Sequence, residues 1–102
     1  MKIRLILWAA LLCGTIFRAN AQGVEFRDLT FQQALEQAQK EGKLVFMDCY
    51  TSWCGPCKNM LNNVFTLAEA GGFMNEEFVC VKFDMEQGEG KELKNKLGVR
   101  AY

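Results

Sequence analysis

Two cysteines three positions apart, Cys54 and Cys57, enclose Gly55-Pro56 and are flanked by Trp53 and Lys58. At the start of a helix this spacing brings the two sulfurs within bonding reach. The first sulfur then lies where unpaired backbone N–H groups and the helix dipole favour negative charge. The thiolate is the nucleophile in disulfide exchange, so this placement activates Cys54 and lowers its pKa. Cys57, one turn inside, is positioned to resolve the mixed disulfide that Cys54 forms with a substrate. Gly55 leaves the approach open, Pro56 stiffens the first turn, and Trp53 offers a flat apolar surface for a partner chain. The expected site is therefore Cys54 and Cys57 as reacting groups, with Trp53, Gly55 and Pro56 as the substrate-binding surface. The redox-active Cys54–Cys57 disulfide is the working group, and no separate cofactor is expected.

Two other readings of a CxxC compete. Half a zinc site normally needs a second ligand pair at similar spacing. The chain has no histidine, and Cys49 and Cys80 stand singly in apolar runs, so no metal is expected. A purely structural disulfide across so small a loop would remove little loop entropy from the unfolded chain.

Asp48 and Lys82 are the next candidates. Asp48 closes the apolar run Leu44-Val45-Phe46-Met47, and Lys82 lies between Val81 and Phe83. A buried carboxylate is costly unless paired or protonated. On neighbouring strands the two could pair beneath the cysteines, with Asp48 relaying a proton to or from Cys57. The competing reading is a strand-end Asp reaching solvent and a snorkelling Lys.

These groups need elements to hold them. Leu44–Met47 is a continuous apolar run, as expected of a strand buried on both faces in a parallel sheet, and Phe78–Asp84 reads as a second buried strand that carries Lys82. Gly23–Phe26 is a candidate short edge strand. Thr30 with Gln33 forms a capping box ahead of Phe31, Ala34, Leu35 and Ala38 at helical spacing. Gly42 is a plausible end to that helix. Met60, Leu61, Val64 and Phe65 carry a helix on from Cys57. Thr66 with Glu69 reads as a second capping box, for a short helix that Gly71-Gly72 weakens. Gln87–Gly90 reads as a turn, and 91–97 as a polar helix stopped by Gly98. Strands alternating with helices predict an α/β domain with a parallel sheet.

The N-terminus carries a different message. Lys2 and Arg4 precede an apolar run from Leu5 to Phe17, and Ala19-Asn20-Ala21 offers a small-x-small cleavage pattern. This is the layout of a secretory signal peptide, expected at 1–21. The run is shorter than the ~20 residues of a spanning helix, which argues against a retained anchor. Leu12 before Cys13 is too large for lipoprotein processing. The mature chain, 22–102, keeps Cys49, Cys54, Cys57 and Cys80 in a compartment where disulfides persist. Localisation is thus expected to be exported, periplasmic or extracytoplasmic in a bacterium. The formal charge is zero overall. Residues 22–102 are weakly acidic, which does not favour nucleic acid or an anionic membrane surface as partner.

The segment Trp53-Cys54-Gly55-Pro56-Cys57-Lys58, preceded by Asp48 and Tyr50, resembles the thioredoxin family. It is similar to the exported thioredoxin-like domains of Bacteroidetes-type bacteria and to the C-terminal domain of the periplasmic electron-transfer protein DsbD. The resemblance runs from about residue 24 to residue 102. It implies a thioredoxin-like fold, with Cys54 attacking, Cys57 resolving, Asp48 as buried proton-transfer acid and Lys82 as its partner. Tyr50 takes the place of an aromatic residue that packs behind the site. With Asp48 facing Lys82, alternation along the strands puts Cys49 and Cys80 on opposite faces of the sheet, so no bond between them is expected. The family also has a cis-proline facing the cysteines, then an antiparallel hairpin and a last helix. Leu97–Tyr102 resembles the approach to that proline, while Pro56 is the single proline of the chain. The expectation is an incomplete thioredoxin-like domain, the N-terminal part of a longer protein. Its sheet would have at most three parallel strands, with the catalytic strand as an open edge.

The implied activity is thiol–disulfide exchange on protein substrates. Gly-Pro between the cysteines resembles reducing thioredoxins, so a reductase of disulfides in exported proteins is favoured. A membrane electron donor is expected to regenerate it. The alternative is a non-catalytic thioredoxin-like binding or folding module of a larger exported protein. A non-functional fragment is a third reading.

Overall fold

A computed structural model describes residues 22–102. The expected signal peptide at 1–21 lies outside the described residues. Helix α1 (Phe31–Glu41) opens the regular structure. The Thr30 hydroxyl accepts the Gln33 amide at 3.1 Å and the Gln33 side chain accepts the Thr30 amide at 3.0 Å. This reciprocal pairing satisfies two donors that a helix start otherwise leaves bare. Gly42 ends α1 at φ 67°, a left-handed conformation that favours glycine, and returns its N–H to the last turn.

Strand β1 (Leu44–Tyr50) and strand β2 (Phe78–Asp84) pair in parallel, in a register running from Leu44 opposite Phe78 to Tyr50 opposite Asp84. Between them lie helix α2 (Gly55–Asn59), a π-helical turn (Met60–Val64) and helix α3 (Ala68–Glu77). Helix α4 (Gly88–Leu97) follows β2 and stops at Gly98, φ 68°. This is a thioredoxin-like α/β arrangement, in which each strand end feeds a helix.

The two faces of the sheet are covered differently. On one, Val79 and Val81 are fully buried against Ala34 and Ala38 of α1, with Val45, Met47 and Phe83 packed around them. Full burial of each valine stabilises by about 1.5–3 kcal/mol. On the other, Phe46 meets Phe65 and Phe78 edge to face at 5.9 and 6.2 Å. The π-helical turn closes with the Phe65 amide on the Met60 carbonyl. Phe65 in turn meets Phe26 at 5.4 Å.

Three expectations about the elements need correction. The candidate edge strand at Gly23–Phe26 is a single parallel bridge, Phe26 to Cys80, beside a two-stranded sheet. The reason is that its backbone donors are engaged elsewhere: Val24 donates to the Phe65 carbonyl and Glu25 to the Asn75 side chain. The Thr66–Glu69 capping box does not form. Thr66 instead donates back to the Asn62 carbonyl, and Leu67 is the cap of α3. Finally, Gln87–Gly90 is not a free turn but leads into the first turn of α4, while α3 runs unbroken through Gly71-Gly72. Gly71 is where the N-terminal segment crosses the helix, and a Cβ there would collide with the Gln22 carbonyl. Gly90 is likewise pressed against the Asp84 backbone.

Candidate active site

The residues with exchange chemistry gather at the C-terminal end of β1. Cys54 caps α2 in an extended conformation, and the next residues turn into the helix with Pro56 in its first turn. Cys54 and Cys57 are joined as a disulfide, with their Cα atoms 5.3 Å apart. The Cys57 amide donates to the Cys54 sulfur at 3.2 Å. A donor aimed at that sulfur favours its thiolate once the bond is opened. Cys54 is 5 % exposed, whereas Cys57 is half-buried. The capping geometry, not exposure, therefore distinguishes Cys54 as the sulfur better suited to carry charge.

Trp53 is 65 % exposed beside the pair. Its indole N–H donates to the Glu86 carboxylate at 2.8 Å, and its ring meets Tyr102 edge to face at 6.0 Å. The Lys94 ammonium lies 5.4 Å over the Tyr102 ring. The β2–α4 connection and the last residues of the chain thus frame the tryptophan. Gly55 and Pro56 are exposed, in keeping with an open approach over the disulfide.

Asp48 faces the same region from the strand. It shares two clefts with Cys57. One, of about 170 Å³, also takes in Thr51 and Leu61; the other, of about 200 Å³, takes in Met60 and Tyr102. Burial raises the Asp48 carboxyl above its ordinary value, and the nearby Lys82 charge draws it partly back. A carboxyl that holds its proton unusually well, bordering the same clefts as Cys57, is suited to exchange that proton with a sulfur.

Lys82 is placed as the register requires, directly opposite Asp48. The two make no ion pair within 4.0 Å, since the described ion pairs are Arg27–Glu41 and Lys43–Glu41. Lys82 is exposed, with its ammonium 5.5 Å over the Phe26 ring. Its action on Asp48 is through space. Cys49 and Cys80 are free, and lie on opposite faces as alternation requires. Burial raises both thiols, Asp48 adding to the effect at Cys49. Among the described residues, no group of three or more metal-ligating side chains comes together.

A family model described as Thioredox_DsbH, a protein of unknown function (DUF255), matches residues 16–90. The chain belongs to this thioredoxin-like family. It is 35 % identical to Thioredoxin-1 of Drosophila yakuba over 70 % of its own length and 60 % of that protein's. It is 38 % identical to Spermatogenesis-associated protein 20 of Mus musculus, over 55 % of its own length and 7 % of that protein's. In both cases the chain spans less than two thirds of the relative. A solution structure from Bacteroides thetaiotaomicron, of a protein proposed to be a disulphide-isomerase, superposes with a TM-score of 0.68 at 50 % identity. That match covers 82 % of this chain and 69 % of the other.

Several site features escape sequence reasoning. Glu86 is one of many surface acids until the turn after β2 brings it to Trp53. Tyr102 carries no motif of its own. Thr51 reads as an ordinary polar residue in a loop, yet it is 1 % exposed and its hydroxyl has no partner among the described residues. Its position immediately after a buried strand was the available signal.

Proposed function

We propose that this protein is a thiol–disulfide oxidoreductase that reduces disulfides of exported proteins. The observation that carries the reading is the Cys54–Cys57 pair at a helix start, with the Cys57 amide directed at the Cys54 sulfur. In the reduced form the Cys54 thiolate attacks a substrate disulfide. One substrate sulfur bonds to Cys54 and the other leaves as a thiolate, which takes a proton. Cys57 then gives up its proton, with Asp48 as the acceptor, and attacks the Cys54 sulfur. The Cys54–Cys57 bond forms, the Cys54–substrate bond breaks, and the second substrate sulfur leaves as a thiolate, which takes the proton held by Asp48. Two electrons pass from the dithiol to the substrate, and a membrane electron donor returns them.

The likeness to thioredoxins and to a proposed disulphide-isomerase supports exchange on protein substrates. The Gly-Pro between the cysteines supports the reducing direction. The basic start, apolar run and small-x-small pattern of 1–21 support export, to the periplasm or another extracytoplasmic space.

The test is substitution of each cysteine with a model disulfide protein as substrate. Cys54→Ser is expected to abolish exchange and Cys57→Ser to accumulate mixed disulfides through Cys54. The reverse pattern would exchange the two roles, and exchange unaffected by either change would sink the reading. A redox titration fixes the direction. A potential near about −270 mV supports a reductase, and one near about −120 mV an oxidant.

A second reading is favoured by one observation: the related segment makes up only 7 % of the much longer mouse relative. There a domain of this type is one part of a larger chain. A non-catalytic binding or folding module would capture partners regardless of Cys54.

A further inference from the structure

Thr51 is the one described residue with a buried side-chain oxygen that has no hydrogen-bond partner. The residue is 1 % exposed, so bulk water does not serve that oxygen in place of a protein group. An unpaired buried hydroxyl is costly, and native proteins satisfy most of them. The surroundings suggest when this one is satisfied. Thr51 follows β1 directly, its carbonyl accepts the Cys54 amide, and the residue borders the 170 Å³ cleft that Asp48 and Cys57 also line. No hydrogen bond joins it to either sulfur while these are tied to each other.

Opening the disulfide changes this. The Cys57 side chain becomes free to rotate, and its sulfur gains the charge that makes a strong acceptor. Cys54 already has a donor in the Cys57 amide; Cys57 has no such donor among the described hydrogen bonds. The resolving step requires Cys57 to ionise in a half-buried position beside an acid. We propose that the Thr51 hydroxyl is a donor unused in the oxidised form and engaged by the Cys57 sulfur when the Cys54–Cys57 bond is open. The bond holds the Cys57 thiolate until it attacks Cys54, then is lost as the disulfide re-forms. The proposal rests on the exchange function argued above. The balance of that reaction is unchanged, because the hydroxyl donates a hydrogen bond and keeps its proton.

The other titratable groups lining the two clefts with Cys57 are Asp48, Cys49, Tyr50, Lys58 and Tyr102. All are left in place by a change at Thr51. Thr51→Val removes the hydroxyl at nearly constant shape, and Thr51→Ser keeps the hydroxyl while losing a methyl group. Both are made in the full chain carrying Cys54→Ser, where Cys57 is the sole active-site thiol. The rate of Cys57 alkylation is followed against pH and assigned by peptide mass.

Thr51→Val is expected to shift the Cys57 profile upward and slow alkylation about tenfold on its acid side, as expected for one hydrogen bond to a charged group. Thr51→Ser is expected to retain the parent profile. An unchanged profile in Thr51→Val overturns the proposal, as does an equal shift in both variants. A shift at Cys54 measured in Cys57→Ser, with none at Cys57, overturns it too. Folding is monitored separately: with Cys54 and Cys57 intact and oxidised, Thr51→Val is expected to melt no lower than the parent. The alkylation profile does not depend on turnover. Absence of substrate exchange with the profile shift present would therefore count against the proposed function alone.

Discussion

The amide of Cys57 points at the sulfur of Cys54 across 3.2 Å. One residue of the pair thereby prepares the other, because the helix start that Cys57 helps to form supplies the donor that a Cys54 thiolate needs. The four cysteines of 22–102 should accordingly differ in reactivity. In the fully reduced protein, Cys54 is expected to be alkylated first, at a pH where an ordinary thiol with a pKa of about 8.5 reacts slowly. Cys49 and Cys80 should label slowest, since burial raises both thiols. Time-resolved alkylation with peptide mapping checks the order. Rapid labelling of Cys80, which is 1 % exposed, would mean that the sheet opens readily.

Asp48 makes a prediction of opposite sign for stability. Its carboxyl is raised by burial, so between the unfolded and folded pKa values the folded state binds more protons than the unfolded one. Stability must then fall as pH rises through that window, and the ionised group is a burden at neutral pH. Asp48→Asn is expected to raise the denaturation midpoint at pH 7. The gain should vanish below the unfolded carboxylate range, where Asp48 is protonated in both states. Denaturant titrations at the two pH values measure this. The same variant should slow resolution of mixed disulfides, because Asn cannot take the Cys57 proton. A variant less stable than the parent at pH 7 would mean that the Lys82 charge outweighs burial.

Much of this arrangement is legible in the residues. The CxxC with its glycine and proline locates the helix start at which Cys54 and Cys57 are joined. The apolar runs at Leu44–Met47 and around Lys82 locate the strands, and Thr30 with Gln33 locates the start of α1. The period of two along a strand separates Cys49 from Cys80. What is not legible depends on contacts distant in sequence. Gly23–Phe26 has residues suited to a strand, but Phe65 and Asn75 take its donors first. Lys82 falls opposite Asp48 as expected, yet a neighbouring aromatic ring draws its ammonium aside. The orphan hydroxyl of Thr51 is visible only once burial is known.

The adjacent glycines of α3 offer a matched pair. A Cβ on Gly71 would meet the Gln22 and Gly23 backbone, whereas one on Gly72 meets nothing within 4 Å. Gly71→Ala is expected to cost about 1–3 kcal/mol, the range for overpacking a tight contact. Gly72→Ala should stabilise by about 0.5–1 kcal/mol through the lower conformational freedom of the unfolded chain. Thermal unfolding of the two variants separates these signs. Equal effects at both positions would show that the N-terminal segment does not hold to α3 in solution.

Glu86 holds the exposed ring of Trp53 beside the cysteine pair. Its carboxylate accepts the Trp53 indole N–H at 2.8 Å, and Trp53 is otherwise largely exposed. Removing the acceptor should loosen the ring while leaving the sulfurs and their donors untouched. Glu86→Ala is expected to lower the rate of exchange with a protein disulfide by at most about fivefold, the equivalent of one hydrogen bond of ~1 kcal/mol. Glu86→Gln, which retains an acceptor oxygen, should lie nearer the parent. The Trp53 indole resonance, assigned with Trp53→Phe, should shift in Glu86→Ala as its partner is lost. The redox potential of Cys54–Cys57 should not change in either variant. A shifted potential would instead mean that Glu86 acts on the sulfurs through the field of its charge, and Glu86→Gln would then behave as Glu86→Ala.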